Sequence, residues 1–430
     1  MSSRLLATTL LLCALTAQAR VTKLSVEKRD TAGASETLSG HFSGELDPKD
    51  PHNAIITDIQ NAPRNARGKV EYIGTFSLTK PVDMSKASGV LFYNVPNRGN
   101  GAATVDPDGH VTVVSGWQGD VVPRPGIQSI TVPVAKNADG SSITGPVSER
   151  FINMPAGTKT LSLTTAPYVA LSYQRPATPD TAKASLTRRS QTGKPVTIPA
   201  NAWAFADCAA TPFPGTPDPT KICAKGGFDP AFEYLLVYTA KDPLVLGIGY
   251  AATRDLNSFL RYDTTAANPV AGRIRWGVSR GNSQSGNFIR SYINLGFNQD
   301  ESNRIVWDGI NPHIAARQIV LNLRFGVPGG AAGPNEPGSE AVLWWSDYAD
   351  KTRQRPTAGL LTRCKATNTC PKIIETFGAL EFWYLRESPN LVGTDAKADI
   401  PLPANVRRYF LPGTGHGGGR GGFSTKIPAV

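Results

Sequence analysis

Residues 274–295 read as a short apolar strand, a tight turn and an amphipathic helix with almost nothing between them. The run Ile274-Arg-Trp-Gly-Val-Ser-Arg-Gly-Asn-Ser-Gln-Ser-Gly286 supplies strand and turn, and Phe288, Tyr292 and Leu295 fall at helical spacing behind it. A strand passes straight into a helix only if the corner residue takes a strained backbone conformation and its neighbours are small. Here the corner is Ser283, with Gly281 two residues before it and Ser285 two residues after. A serine so placed exposes its hydroxyl. The helix start behind it offers a positive dipole and free backbone N–H groups to a developing oxyanion. Ser285 stands where the usual Gly-x-Ser-x-Gly pattern has its second glycine. The same pentapeptide also occurs as an ordinary Ser/Gly turn, so the reading rests on what surrounds it.

The rest of the chain bounds the answer. Its 430 residues suffice for one large domain with insertions, or two modest ones. Arg4, an apolar run from Leu5 to Leu15 and Ala17-Gln-Ala19 form the three parts of a signal peptide over residues 1–19, with cleavage expected before Arg20. That run is too short to span a bilayer, and no later segment is long enough. A lipoprotein reading through Cys13 is weakened by Leu11 and Leu12, where small residues are wanted. The expectation is an exported protein, periplasmic or secreted, with no transmembrane segment. Four cysteines remain after the leader: Cys208, Cys223, Cys364 and Cys370. Three connectivities are open, and pairing the sequence neighbours, Cys208 with Cys223 and Cys364 with Cys370, is favoured. A metal site is disfavoured, because C-x-x-C spacing and a nearby histidine are both missing. The formal charge of +11 comes from scattered Lys and Arg without a basic run, which argues against a nucleic-acid partner.

Along the chain, β structure is expected from Val21 to Asp83, with Lys69–Ser77 alternating well. Gly89–Val95 and His110–Val114 read as buried strands of a parallel sheet. From about 121 to 229, short alternating strands and many Pro, Thr and Ser suggest a β-rich insertion. Helical pattern returns over Val245–Leu260. Strands and helices then alternate: the elbow, a strand Arg304–Trp307, a helix after Pro312, strands Lys372–Thr376 and Val406–Leu411. Such alternation implies an α/β fold with a mainly parallel sheet flanked by helices, forming one domain over 20–430. The glycine-rich stretch 413–422 reads as a loop, since no helix follows it.

A serine nucleophile needs a base and an acid to orient that base, and in chains with this elbow both follow the serine. Of five histidines only His313 and His416 do so. His416 lies in a flexible Gly-Thr-Gly-His-Gly loop directly after the last strand and is preferred. His313 is expected to begin a helix in a structural role. Two acids compete. Glu381 follows the penultimate strand through Phe377-Gly-Ala-Leu380; Asp308 follows Arg304–Trp307, one strand earlier, where a turn-capping role is its ordinary alternative. Glu381 has the more usual topological place. The oxyanion hole is assigned to the backbone N–H of Gln284 and to the loop of Asn97, Arg98 and Gly99, whose bland alternative is a β-turn. Trp117 and Gln118 are candidates for the pocket lining or, for the tryptophan, the core.

Asn94-Val-Pro-Asn-Arg-Gly99, Ser115-Gly-Trp-Gln-Gly-Asp120, Asp242-Pro243, Arg254-Asp-Leu256, Gly281-Asn-Ser-Gln-Ser-Gly286, Trp307-Asp-Gly309, Pro312-His313 and Gly413-Thr-Gly-His416 together resemble an exported bacterial α/β-hydrolase-domain family of serine esterase-like proteins. The resemblance runs from about Phe76 to His416, and the Gly-x-Ser-Gln-Ser-Gly block is its most specific element. It implies an α/β-hydrolase fold, with Ser283 as nucleophile and His416 as base; it leaves Glu381 and Asp308 unresolved. The expectation is a secreted serine hydrolase of a small-molecule or polymeric carboxylic ester, working through an acyl-enzyme without metal or organic cofactor. The alternatives are an amide or peptide hydrolase with the same triad, and a silent binding protein on the same fold.

Overall fold

A computed structural model describes residues 21–163, 174–327 and 342–417. The expected signal peptide lies outside the described residues. The chain opens with β1 (Val21–Ala32), β2 (Ser35–Leu46) and β3 (Val70–Pro81), an antiparallel ribbon, followed by β4 (Val90–Val95), β5 (Val111–Ser115) and the short β6 (Ile130–Thr131). Strands β7 (Thr144–Phe151), β8 (Thr160–Ser162), β9 (Ser185–Ser190), β10 (Val196–Ile198), β11 (Trp203–Ala204), β12 (Ala206–Asp207), β13 (Thr216–Pro217), β14 (Lys221–Ala224) and β15 (Phe232–Lys241) make separate antiparallel sheets. Then come α1 (Ile248–Tyr262), β16 (Trp276–Asn282), α2 (Gln284–Asn294), β17 (Gly309–His313), α3 (Thr362–Ala366), β18 (Lys372–Gly378), α4 (Ala379–Trp383), α5 (Ser388–Val392) and β19 (Val406–Leu411).

The large sheet runs β1-β2-β3-β5-β4-β16-β17-β18-β19, with β6 paired to β3. From β5 to β19 neighbouring strands are parallel. All five residues of β5 are buried, as a parallel strand covered on both faces requires. The chain steps from β4 outward to β5, then returns to place β16 on the other side of β4. That reversal makes the carboxyl ends of β4 and β16 a topological switch point, where ligands collect in open α/β sheets. Val95 of β4 pairs with Gly281 of β16, so the loop after β4 lies beside Ser283.

The core forms where α1 and α2 meet the sheet. Every residue of α1 from Ile248 to Leu260 is buried. Tyr250 stacks on Phe288 at 4.8 Å and Tyr292 on Trp307 at 4.3 Å. Full burial of each such ring contributes about 1.5–3 kcal/mol, which fixes the elbow helix against α1 and against the turn that leads into β17. Gly277, Ser279 and Gly281 give β16 a face of small side chains, and a Cβ on Gly277 would meet the Val306 carbonyl at 2.5 Å.

Three local expectations differ from the fold. The strand expected at Arg304–Trp307 lies instead at Gly309–His313: Trp307 and Val306 are fully buried, but in a turn tied to Asn298, not in the ladder. No helix follows Pro312 up to residue 327. The backbone there is held by side chains from elsewhere, Asn287 accepting from the Arg317 N–H and Ser291 from the Ile319 N–H, so its local propensity is overridden. The antiparallel sheets continue past residue 229 to Lys241, since Tyr234, Leu236, Tyr238 and Ala240 keep the period-two burial of β15. Disulfides join Cys208 to Cys223 and Cys364 to Cys370, the latter just ahead of β18.

Candidate functional site

Ser283 is the corner between β16 and α2, at φ 56° and ψ −113°. A non-glycine residue held there stores about 1–3 kcal/mol of strain, and the surroundings oblige it to stay. Its N–H donates to the His313 carbonyl at 2.9 Å, and its carbonyl accepts from the Asn287 N–H at 2.9 Å. A Cβ on Gly281 would meet the Ser285 carbonyl at 2.3 Å, and one on Gly286 would meet the Ala315 methyl at 2.6 Å. Ser285 is therefore not the position where space is shortest. Its hydroxyl instead closes the turn, accepting from the Asn282 N–H at 2.8 Å and donating to the Asn282 carbonyl at 2.9 Å.

Across the sheet edge, the last strand delivers His416. After β19 the chain turns where the Thr414 hydroxyl donates to the Leu411 carbonyl at 2.8 Å. His416 Nε2 then lies 2.7 Å from Ser283 Oγ, and Nδ1 lies 2.6 Å from Glu381 Oε1. Glu381 sits in the first turn of α4, wholly buried, with Oε2 accepting from the Gly378 N–H at 2.6 Å. Both carboxylate oxygens thus face donors, provided Nδ1 carries the proton. That tautomer leaves Nε2 to accept from the serine hydroxyl.

The competing residues lie elsewhere. Because the strand starts at Gly309, Asp308 precedes β17 instead of following a strand. It stands at the amino ends of β16 and β17, opposite Ser283, where it accepts from the Gly277 N–H at 2.8 Å and pairs with Arg261 at 2.8 Å. His313 ends β17, its Nδ1 2.6 Å from Thr376 Oγ1, and it supports Ser283 through its backbone carbonyl. Burial first, and the Arg280 charge second, hold its imidazole below the ordinary histidine value.

The loop after β4 is bound to the elbow by the side chains of Asn97 and Gln284, residues the sequence offers for their backbone amides. Asn97 Oδ1 accepts from the Ser285 N–H at 2.9 Å, and the Arg98 N–H donates to Gln284 Oε1 at 3.1 Å. Gly99 is at φ 76°, and a Cβ there would meet the Gln128 carbonyl at 2.2 Å, so glycine is required. Gln118 is buried against Gln284, Oε1 accepting from its Nε2 at 3.3 Å. Trp117 belongs to the core: it packs on Phe288 with ring centroids 4.6 Å apart, and its indole N–H donates to the Pro96 carbonyl. The clustering of amide side chains in 97–100 and 282–287 was the signal available.

A buried charge cluster joins the elements that carry the three groups. Arg290 of α2 pairs with Glu375 of β18, which also accepts from Arg408 of β19 at 2.5 Å; Glu387, just before α5, lies 3.9 Å from Arg290. Burial raises the Glu375 carboxyl, but Arg290 and Arg408 outweigh it and hold the group below its ordinary value. For Glu387 burial dominates, with repulsion from Glu375 behind it, and its carboxyl is pushed up to about 8. Between the ordinary 4.5 and about 8 the folded protein therefore holds a proton that the unfolded chain has lost. Stability contributed by this group falls as pH rises across that window. Glu387→Gln removes the titration: its thermal stability should gain on wild type from pH 5 to 8, by at most about 1.4 kcal/mol per pH unit. A difference flat with pH would contradict the assignment.

Among the described residues, Asp106, Asp108 and His110 bring potential metal-ligating atoms within 4.8 Å of one another, but ahead of β5, at the other end of the sheet from Ser283. No curated protein matches the chain. A solved structure of the peroxisomal α/β-hydrolase Lpx1 from Saccharomyces cerevisiae is similar to it at 8% identity and a TM-score of 0.27, covering 90% of this chain and 83% of that one. A family model described as an alpha/beta hydrolase domain matches residues 201–428, rather more than half the chain and the part that carries Ser283, Glu381 and His416, and the chain belongs to that family.

Proposed function

We propose that this protein is an exported serine esterase that cleaves a carboxylic ester through an acyl-enzyme. The observation that carries the reading is the unbroken chain of hydrogen bonds from Ser283 Oγ through His416 to buried Glu381. Ser283 Oγ attacks the ester carbonyl as its proton passes to His416 Nε2. The oxyanion is held by the Gln284 N–H and by an amide of the Asn97–Gly99 loop. Collapse breaks the carbon–alkoxide bond, and His416 returns the proton to the departing alcohol. Water, deprotonated by the same imidazole, then releases the acid and restores the serine. Glu381 fixes the tautomer and stabilises the imidazolium. The antiparallel insertion, expected over about 121–229, is proposed to shape the acyl or alcohol pocket. Export is supported by the leader-like residues 1–19 and is compatible with the two disulfides.

A fluorophosphonate probe tests the reading. Wild type should be labelled on the peptide containing Ser283, and Ser283→Ala should take no label. An unlabelled wild type, or equal labelling of the variant, would sink it. Matched nitrophenyl ester and nitroanilide substrates then separate ester from amide cleavage, with faster ester turnover expected.

A further inference from the structure

We propose that the side chains of Gln284 and Gln118 form an amide clamp that sets the Asn97–Gly99 loop against the elbow, which makes Gln284 a positioning residue as well as a backbone donor. The inference rests on the esterase reading of Ser283. The loop needs such a tie. Arg98 is at φ 48° and Gly99 at φ 76°, two successive left-handed residues that relax unless held. Trp117 fixes the loop's entrance through the Pro96 carbonyl, and Asn97 reaches the helix through the Ser285 N–H. Arg98 itself is held by Gln284 alone among the contacts of its backbone N–H.

The polarity of the clamp follows from its first link. A backbone N–H only donates, so Gln284 must turn its oxygen toward Arg98 and its NH2 toward Gln118. Gln118 must then offer its oxygen, and its own Nε2 points away, buried and without a partner among the described residues. A buried donor left unpaired disfavours the fold. An arrangement that stability alone would not select is what a positioning device at an active site looks like. The clamp also changes the count of oxyanion donors. With the Arg98 N–H engaged by Gln284, the second donor falls to another amide of the loop, and Arg98 serves as the loop's anchor.

The test uses the full-length enzyme with Gln284→Met, which keeps the side-chain length and the backbone N–H but removes both clamp bonds. Gln118→Leu breaks the second link from outside the elbow, and the double variant completes a cycle. On a nitrophenyl ester Gln284→Met should lose about 10- to 100-fold in kcat, with KM within about twofold of wild type, because a misplaced oxyanion donor is felt only in the transition state. Gln118→Leu should lose about 3- to 10-fold in kcat, and the double variant should be no worse than Gln284→Met within about twofold, since both cut one device. Fluorophosphonate labelling should slow in parallel. If Gln284→Met also lowers the thermal midpoint, the kcat of Gln118→Leu decides. A labelled wild type whose variants keep kcat, or lose only KM, overturns the clamp alone. An unlabelled wild type overturns the esterase reading and the clamp with it.

Discussion

His416→Ala is expected to lower kcat/KM for a nitrophenyl ester by about four to six orders of magnitude, and Ser283→Ala/His416→Ala to be no slower than either single variant. The reason is the shared proton. His416 Nε2 lies 2.7 Å from Ser283 Oγ, so removing the imidazole strands that proton on a weak nucleophile, and removing the serine leaves the imidazole nothing to activate. Two residues that act on one proton do not contribute separate factors. His313→Ala is the control: its ring is 2.6 Å from Thr376 Oγ1, and its support of Ser283 runs through the backbone carbonyl, which the substitution keeps. That variant should retain activity within about tenfold. Activity that survives His416→Ala but not His313→Ala would reassign the base.

Glu381→Gln should lower kcat by about three to four orders of magnitude, whereas Asp308→Asn should leave kcat within a few-fold and lower stability by about 1–3 kcal/mol. The two oxygens of Glu381 face two donors, the Gly378 N–H and His416 Nδ1–H. An amide has one oxygen to offer. If it serves Gly378, the NH2 faces Nδ1, which must give up its hydrogen; the proton moves to Nε2, and the imidazole then donates to Ser283 instead of accepting from it. If the oxygen serves His416, the NH2 opposes a buried N–H. The first arrangement disables the base with the fold intact; the second keeps the tautomer but sets two donors against each other in a buried site, so the first is expected to prevail. Asp308, at the far end of the strands, holds Arg261 and the Gly277 N–H, so its loss is felt in unfolding. Kinetics and thermal denaturation of both variants read the two effects apart. Inactive, folded Asp308→Asn beside active Glu381→Gln would reverse the assignment.

What could be read from the chain, and what could not, divides along physical lines. Phe288 and Tyr292 mark the buried face of α2 by spacing alone, and Val406–Leu411 is a strand where the sequence places one. That Ser283, Glu381 and His416 meet was legible because histidine is scarce and chain order prunes the choices. The Asp308 alternative stood only because Val306 and Trp307 look like strand residues; their burial comes from a turn pinned by Asn298, which no periodicity reports. The missing helix after Pro312 has the same origin, with its backbone bonds supplied by Asn287 and Ser291 of a distant helix. Side-chain-to-backbone ties of this kind also carry Asn97 and Gln284. They depend on tertiary approach, so the sequence displays their residue types without their partners.

The buried charges under the site bear on how such a chain can diversify. Arg290, Glu375 and Arg408 lie on α2, β18 and β19, the elements that lead from Ser283, into Glu381 and into His416, and Glu387 donates its N–H to the Glu381 carbonyl. The spacing of Ser283, Glu381 and His416 is thus set by ion pairs on fully buried Glu375, between the elements that carry them. Loops above the sheet are relieved of that duty. They can lengthen, shorten or exchange their chemistry while the Ser283–His416–Glu381 distances hold, so on the esterase reading selectivity can drift or be redesigned independently of the proposed proton path.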